Sequence, residues 1–134
     1  MPEKILLVED EQTLVKMYEE IFRRYTDFNL FKAYTKEEGL QLATLHIPSI
    51  ILLDLIIPEK TGEMVAYDRR VGFDLLKELR AHPETRDISV LVFSNMDTHE
   101  DRATSEELGV AEYLLKADYT PQRLIEKIKK HLNN

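Results

Sequence analysis

The chain has 134 residues, 43% of them hydrophobic, which is the length of one domain (1–134) and enough apolar material for one continuous core. Its formal charge of −7, from 25 acidic against 18 basic residues, repels a nucleic-acid backbone unless cations cluster; the nearest cluster, Lys127, Lys129, Lys130 and His131, lies near the C-terminus of the last helical segment, where cations suit the helix dipole. Cysteine is absent, which excludes disulfides, thiolate zinc sites and cysteine nucleophiles, and the opening MPEKILLVEDE turns acidic too early for a signal peptide or membrane span, so a cytoplasmic protein with no direct nucleic-acid or membrane binding is expected.

In chain order, residues 5–8 (ILLV) form a first apolar run. After Asp10, residues Leu14, Met17, Tyr18, Ile21 and Tyr25 follow the i, i+3, i+4, i+7 stripe of an amphipathic helix. Residues 30–33 read as a second strand, and Thr35 with Glu38 is a capping box for a second helix that must stop before Pro48. Residues 50–53 (IILL) are the third strand. The segment 55–71 that follows is too long for an ordinary strand-to-helix turn and reads equally as a flap, a short hairpin or a disordered stretch. Residues 72–80 (GFDLLKELR) are a third helix with Pro83 beyond it, and 90–93 (VLVF) a fourth strand. Thr98 with Asp101 opens a fourth helix and Gly109 closes it. Only Ala103 and Leu108 are clearly apolar there, so its packing should be the weakest. Residues 113–115 are a fifth strand, and Thr120-Pro121 opens a last helix with the stripe Leu124, Ile125, Ile128, Leu132. The chain ends shortly after it, and no output domain is expected.

Runs ILLV, IILL and VLVF lack polar alternation, as central strands buried on both faces do. The alternation of strands and helices predicts an α/β fold, a (βα)5 doubly wound five-stranded parallel sheet of flavodoxin-like order 2-1-3-4-5.

In such a sheet ligands collect beyond the carboxyl ends of the strands. Glu9 and Asp10 follow the first strand, Asp54 ends the third, Ser94 the fourth and Lys116 the fifth. With strands one and three adjacent, three carboxylates meet, and like charges that close demand protonation or a cation. An all-oxygen pocket open to water favours a hard ion, with Mg²⁺ the best fit. The set suits in-line attack by the Asp54 carboxylate on a phosphoryl group, with Ser94 and Lys116 holding its oxygens. Taken singly, each residue also reads as a helix cap, a turn residue or a surface charge. Four such features at one sheet edge favour the joint reading.

The pieces 5–11 (ILLVEDE), 50–58 (IILLDLIIP), 72–80, 90–95 (VLVFSN) and 109–118 (GVAEYLLKAD) resemble the receiver domain of two-component response regulators, of the stand-alone chemotaxis-regulator kind. The resemblance implies that Asp10 binds Mg²⁺ directly and Glu9 through water, and that Asp54 is both ligand and phosphoacceptor. It implies that the Ile56 backbone carbonyl completes the metal site. It further implies that Ser94 and Tyr113 are switch residues, that a histidine kinase or phosphotransfer protein docking on the first helix donates the phosphoryl group, and that the face of helix four, strand five and helix five meets a downstream protein or a second copy in a homodimer. Such a domain catalyses only its own phosphoryl transfer and dephosphorylation.

Three departures from the family pattern stand out. Ala117 follows Lys116 where a cis proline is usual, so that peptide is either cis and strained or trans. Gly62 and Gly72 both suit the loop junction, which implies an insertion of about ten residues able to screen an acyl phosphate from water or add a partner surface. Asn95 is bulky, and Ile56 and Met96 are apolar, so slow hydrolysis is expected. A receiver-like interaction module that is not phosphorylated is the alternative. A haloacid-dehalogenase-type enzyme would need an acid where Ile56 stands, a flavodoxin a hydroxyl-rich loop in place of 8–11 (VEDE), and a P-loop NTPase a Gly-Lys-Ser/Thr signature.

Overall fold

The computed structural model describes residues 2–133. Its elements are β1 (Lys4–Val8), α1 (Gln12–Tyr25), β2 (Asn29–Ala33), α2 (Lys36–His46), β3 (Ile50–Leu53), α3 (Val71–Ala81), β4 (Ser89–Ser94), α4 (His99–Glu107), β5 (Glu112–Leu115) and α5 (Pro121–Leu132), with a 3₁₀ turn at Lys116–Asp118. All strand pairs are parallel, in the order β2-β1-β3-β4-β5. The predicted (βα)5 architecture and strand order are the observed ones.

Because side chains alternate across a strand, each central run feeds two cores. Leu6, Val8, Ile51, Leu53, Val90 and Val92 pack with Leu75, Leu76 and Leu79 of α3 on one face. Ile5, Leu7, Ile50, Leu52, Leu91 and Phe93 pack with Val15 and Phe22 of α1 and Leu124, Ile125 and Ile128 of α5 on the other. Burying each of these aliphatic side chains contributes about 1.5–3 kcal/mol, so the strand ends are fixed in space by a two-sided core. No described helix is long and apolar enough to cross a membrane.

The helix boundaries follow their caps. Thr35 Oγ1 accepts from Glu38 N at 3.1 Å while Glu38 Oε1 accepts from Tyr34 N at 2.7 Å, the two-way arrangement of a capping box. Thr98 accepts from Asp101 N and Thr120 from Arg123 N, and Gly109 turns left-handed (φ 71°) just past α4. In α4 the two buried residues are Asp101 and Ser105, both polar, so hydrogen bonds rather than apolar contact hold it. The cations of the last helix do more than face its dipole: Lys127 and His131 both contact Glu112 of β5, at 2.9 Å each.

The segment between β3 and α3 is neither strand nor helix. Residues 55–58 are buried, and Pro58 and Glu59 present their carbonyls to the first amides of α2, Lys36 N (2.9 Å) and Glu37 N (3.0 Å). Residues 59–70 then form a strap with a turn at Lys60–Glu63, where Gly62 has φ 88°, and another at Ala66–Arg69. It is not a hairpin. Helix α3 begins at Val71, one residue before the predicted start.

Candidate functional site

Val8 pairs with Leu53 in register, so the residues that follow, Glu9 and Asp54, leave neighbouring strands side by side. On the other side Leu53 pairs with Val92, and Ser94 pairs with Leu115, which puts Ser94 and Lys116 at the same edge. The apolar runs therefore deliver four polar side chains to one end of the sheet. Asp54 comes immediately after β3, and Lys116 is the first residue of the 3₁₀ turn rather than the last of β5.

Glu9, Asp10 and Asp54 offer carboxylate oxygens that all lie within 4.8 Å of one another. Lys116 Nζ stands 3.0 Å from Asp54 Oδ2 and also contacts Glu9 Oε1. The other oxygen of Asp54 accepts from Ile56 N at 3.2 Å. Asp54 is only 7% exposed, and Glu9 3%.

Burial, reinforced by the charge on Glu9, pushes the Asp54 carboxyl up to about 7 against the pull of Lys116. Asp10 is raised for the same two reasons, burial first and Glu9 second. Burial pulls the Lys116 ammonium down, but Asp54 and Glu9 outweigh it and the net shift is upward. Three acids and one cation leave an excess of negative charge in a half-dry site. This donor set, all oxygen and open to a cleft of about 170 Å³, fits a hard divalent cation.

Ser94 is fully buried against the same cleft; its Oγ accepts from Met96 N at 3.1 Å. No acceptor for its own proton is found among the described residues, so the hydroxyl is free to donate to an anion in the cleft. Tyr113 is half-buried on the flank, its hydroxyl donating to Met96 O at 2.5 Å and its ring covered by the Arg102 guanidinium 4.7 Å away. Burial, with the charge of Asp101 second, raises its phenol to about 12, so it stays a donor throughout the physiological range. No described peptide bond is cis, so Lys116-Ala117 is trans, and the 3₁₀ turn presents the lysine instead.

The sequence leaves open which residues of segment 55–71 reach the cleft and what holds them there. Val65 and Tyr67, from the strap, line it together with Glu11 and Met96. The strap is in turn fastened to α4: Arg70 Nε lies 3.1 Å from both carboxylate oxygens of the buried Asp101, and Arg70 Nη1 donates to Tyr67 O at 3.0 Å. The length of segment 55–71 was the available signal; nothing in its composition said where it would fold. Gly72 settles the choice between the two junction glycines, because a Cβ there would sit 2.5 Å from Asp54 O, whereas one on Gly62 would meet open space.

The response regulator receiver domain model matches residues 5–129, nearly the whole chain. The chain belongs to that family. It is 36% identical over 117 residues to the transcriptional regulatory protein CiaR of Streptococcus pneumoniae, covering 87% of this chain and 46% of that protein. Thus the receiver-family chain spans about half the length of that relative. It is 26% identical to the polar-differentiation response regulator DivK of Brucella anthropi, covering 100% of this chain and 99% of DivK. Among solved structures, the Mn(2+)-bound form of response regulator Rcp1 superposes with a TM-score of 0.72 at 26% identity, over 96% of this chain and 92% of Rcp1.

Proposed function

We propose that this receiver domain accepts a phosphoryl group on Asp54 from a phosphohistidine of a sensor kinase or phosphotransfer protein, with Mg²⁺ as cofactor, and that the modification changes which proteins it binds. The observation that carries the reading is the contact of Lys116 with both Asp54 and Glu9, beside a third carboxylate, in an open cleft. A structural ion pair would not need the extra acids or a Ser94 hydroxyl with its proton free to donate.

A divalent ion held by Asp10, Asp54, the Ile56 carbonyl and, through water, Glu9 would neutralise the charge of the incoming phosphoryl group. The residues of the chain do the rest. Asp54, ionised, attacks phosphorus in line; the P–N bond breaks, its electron pair returns to the imidazole, and that nitrogen takes a proton from solvent. Lys116 and Ser94 hold two equatorial oxygens of the transferring group. That response regulator Rcp1, a similar fold, is solved in a Mn(2+)-bound form supports the binding of a divalent ion by this chain. With the phosphoryl group in place, Ser94 and Tyr113 shift the packing of α4, the helix held mainly by polar contacts, and so alter the α4-β5-α5 face offered to a downstream protein or a second copy. On this reading activity is confined to the domain's own phosphorylation and dephosphorylation, and a sensor-kinase donor implies a cytoplasmic chain.

The test is incubation with acetyl phosphate and Mg²⁺ followed by intact mass measurement. A mass gain of one phosphoryl group is expected in the wild type, lost on chelation and absent in Asp54→Asn. An unmodified wild type would favour an interaction module that switches without phosphorylation.

A further inference from the structure

The strap of residues 59–70 takes no part in the transfer of the phosphoryl group onto Asp54. Its placement is specific. At its start Pro58 and Glu59 are pinned to the N-terminus of α2, and at its end Arg70 reaches across to Asp101 of α4. Between those anchors Val65 and Ala66 are half-buried, whereas Met64 on one side and Tyr67 on the other are 92% and 76% exposed. Val65 lines the acid cleft with Ile56 and Met96, so apolar residues from three separate segments share the cleft with Asp54, and the largely exposed Tyr67 stands at its rim.

The anchor is built for permanence. The Asp101 side chain is 7% exposed and Arg70 22%, and the carboxylate receives Nε on both oxygens while another guanidinium nitrogen holds the strap's own carbonyl at Tyr67. Removing one partner of such a pair leaves a buried charge uncompensated, so the strap and α4 are fastened more firmly than exposed ion pairs such as Arg69–Glu59 would achieve.

We propose that Val65, with Tyr67 at the rim and Arg70 as the positioning residue, forms a wall that keeps water from the phosphorylated Asp54 and so sets a long lifetime for the signal. The proposal rests on Asp54 being the phosphoacceptor. Hydrolysis of an acyl phosphate requires a water to attack phosphorus opposite the Asp54 oxygen; the P–O bond to Asp54 breaks, the carboxylate is regenerated, and inorganic phosphate carries off the water's hydroxyl while its proton passes to phosphate or solvent. An apolar side chain over that approach offers the water no hydrogen bond, and the barrier rises by the cost of desolvating it. Phosphoryl transfer into the site needs no attacking water and is spared.

The experiment loads the full chain with acetyl phosphate and Mg²⁺, removes the donor by rapid desalting, and follows the phosphorylated mass with time in wild type, Val65→Ala, Tyr67→Phe and Arg70→Ala, with a thermal melt of each. Val65→Ala and Arg70→Ala are expected to reach the phosphorylated state and then lose it roughly tenfold faster than wild type, with the melt of Val65→Ala close to wild type; Tyr67→Phe, which keeps the ring, should match wild type. A wild-type lifetime in phosphorylated Val65→Ala and Arg70→Ala would overturn the wall, as would a wild-type lifetime of seconds. A longer lifetime in Tyr67→Phe would also overturn it, by assigning the phenol to the positioning of water. A wild type that never gains mass would instead overturn the phosphoacceptor reading beneath it.

Discussion

Lys116 Nζ lies 3.0 Å from Asp54 Oδ2, joining the first residue after β3 to the first residue after β5 across the intervening strand β4. The ammonium is shared with Glu9, so one cation serves two buried carboxylates. Lys116→Ala leaves both uncompensated. Acyl phosphate formation is expected to slow by roughly 10²-fold, the size of effect seen when one preorganised charge partner is removed. The loss of stability should be about 3 kcal/mol at pH 8 and smaller at pH 5, where Asp54 takes a proton. The lysine itself is charged across this window, since its raised pKa keeps its stabilisation until well into the alkaline range. Urea melts of the variant and wild type at the two pH values check both parts.

The Asp54 pKa gives a second expectation. In the folded chain the group holds its proton to about 7, whereas its ordinary value is 3.8. Between those values the folded state binds more protons than the unfolded one, so the metal-free protein loses stability as pH rises through this window. Asp54→Asn removes the penalty and should be more stable than wild type by on the order of 2–4 kcal/mol at pH 8, with the difference vanishing near pH 4. A divalent ion must displace the same proton. Mg²⁺ affinity measured by calorimetry is therefore expected to fall about tenfold from pH 8 to pH 6.

Gly72 touches the site through backbone. A Cβ on it would fall 2.5 Å from Asp54 O and 2.8 Å from Leu55 Cα, and neither atom can yield without moving the phosphoacceptor's own peptide. Gly72→Ala should cost about 1–3 kcal/mol in a denaturant melt and also slow phosphorylation by acetyl phosphate. Gly62→Ala, strained at φ 88° but with open space around it, should cost about 1 kcal/mol and leave the rate alone.

Arg80 has a purely structural assignment. Its guanidinium donates to four carbonyls, those of Leu108, Gly109, Arg86 and Ile88, tying α3 to the segments that enter β4 and β5. Arg80→Ala is expected to destabilise the fold by about 1–3 kcal/mol with phosphorylation at its wild-type rate under native conditions. A changed rate in the folded variant would mean that this tie reaches the site.

The sequence carried the fold because its apolar runs are unbroken. ILLV, IILL and VLVF admit little but central strands, and the helix starts at Thr35, Thr98 and Thr120 announce themselves by capping chemistry. The meeting of Glu9, Asp10 and Asp54 followed from strand order, since each sits at a strand end and needs no loop to place it. What stayed hidden lies in long-range side-chain pairing. Arg70 and Asp101 are 31 positions apart, and neither carries a local signal that it will find the other. Val65 looked like any apolar residue of a polar loop until the strap's two anchors fixed which way it faces. The trans Lys116-Ala117 bond and the 3₁₀ turn that follows were equally open, because a single alanine excludes neither isomer.

The most direct test of the phosphoacceptor assignment is to trap the modification chemically. Protein treated with acetyl phosphate and Mg²⁺ is reduced with borohydride, which converts an aspartyl phosphate to homoserine, and then digested and sequenced by mass spectrometry. The account predicts homoserine at position 54 and nowhere else, with Glu9 and Asp10 intact. Reduction at Asp10, or no reduced residue in a protein that binds Mg²⁺, would contradict it.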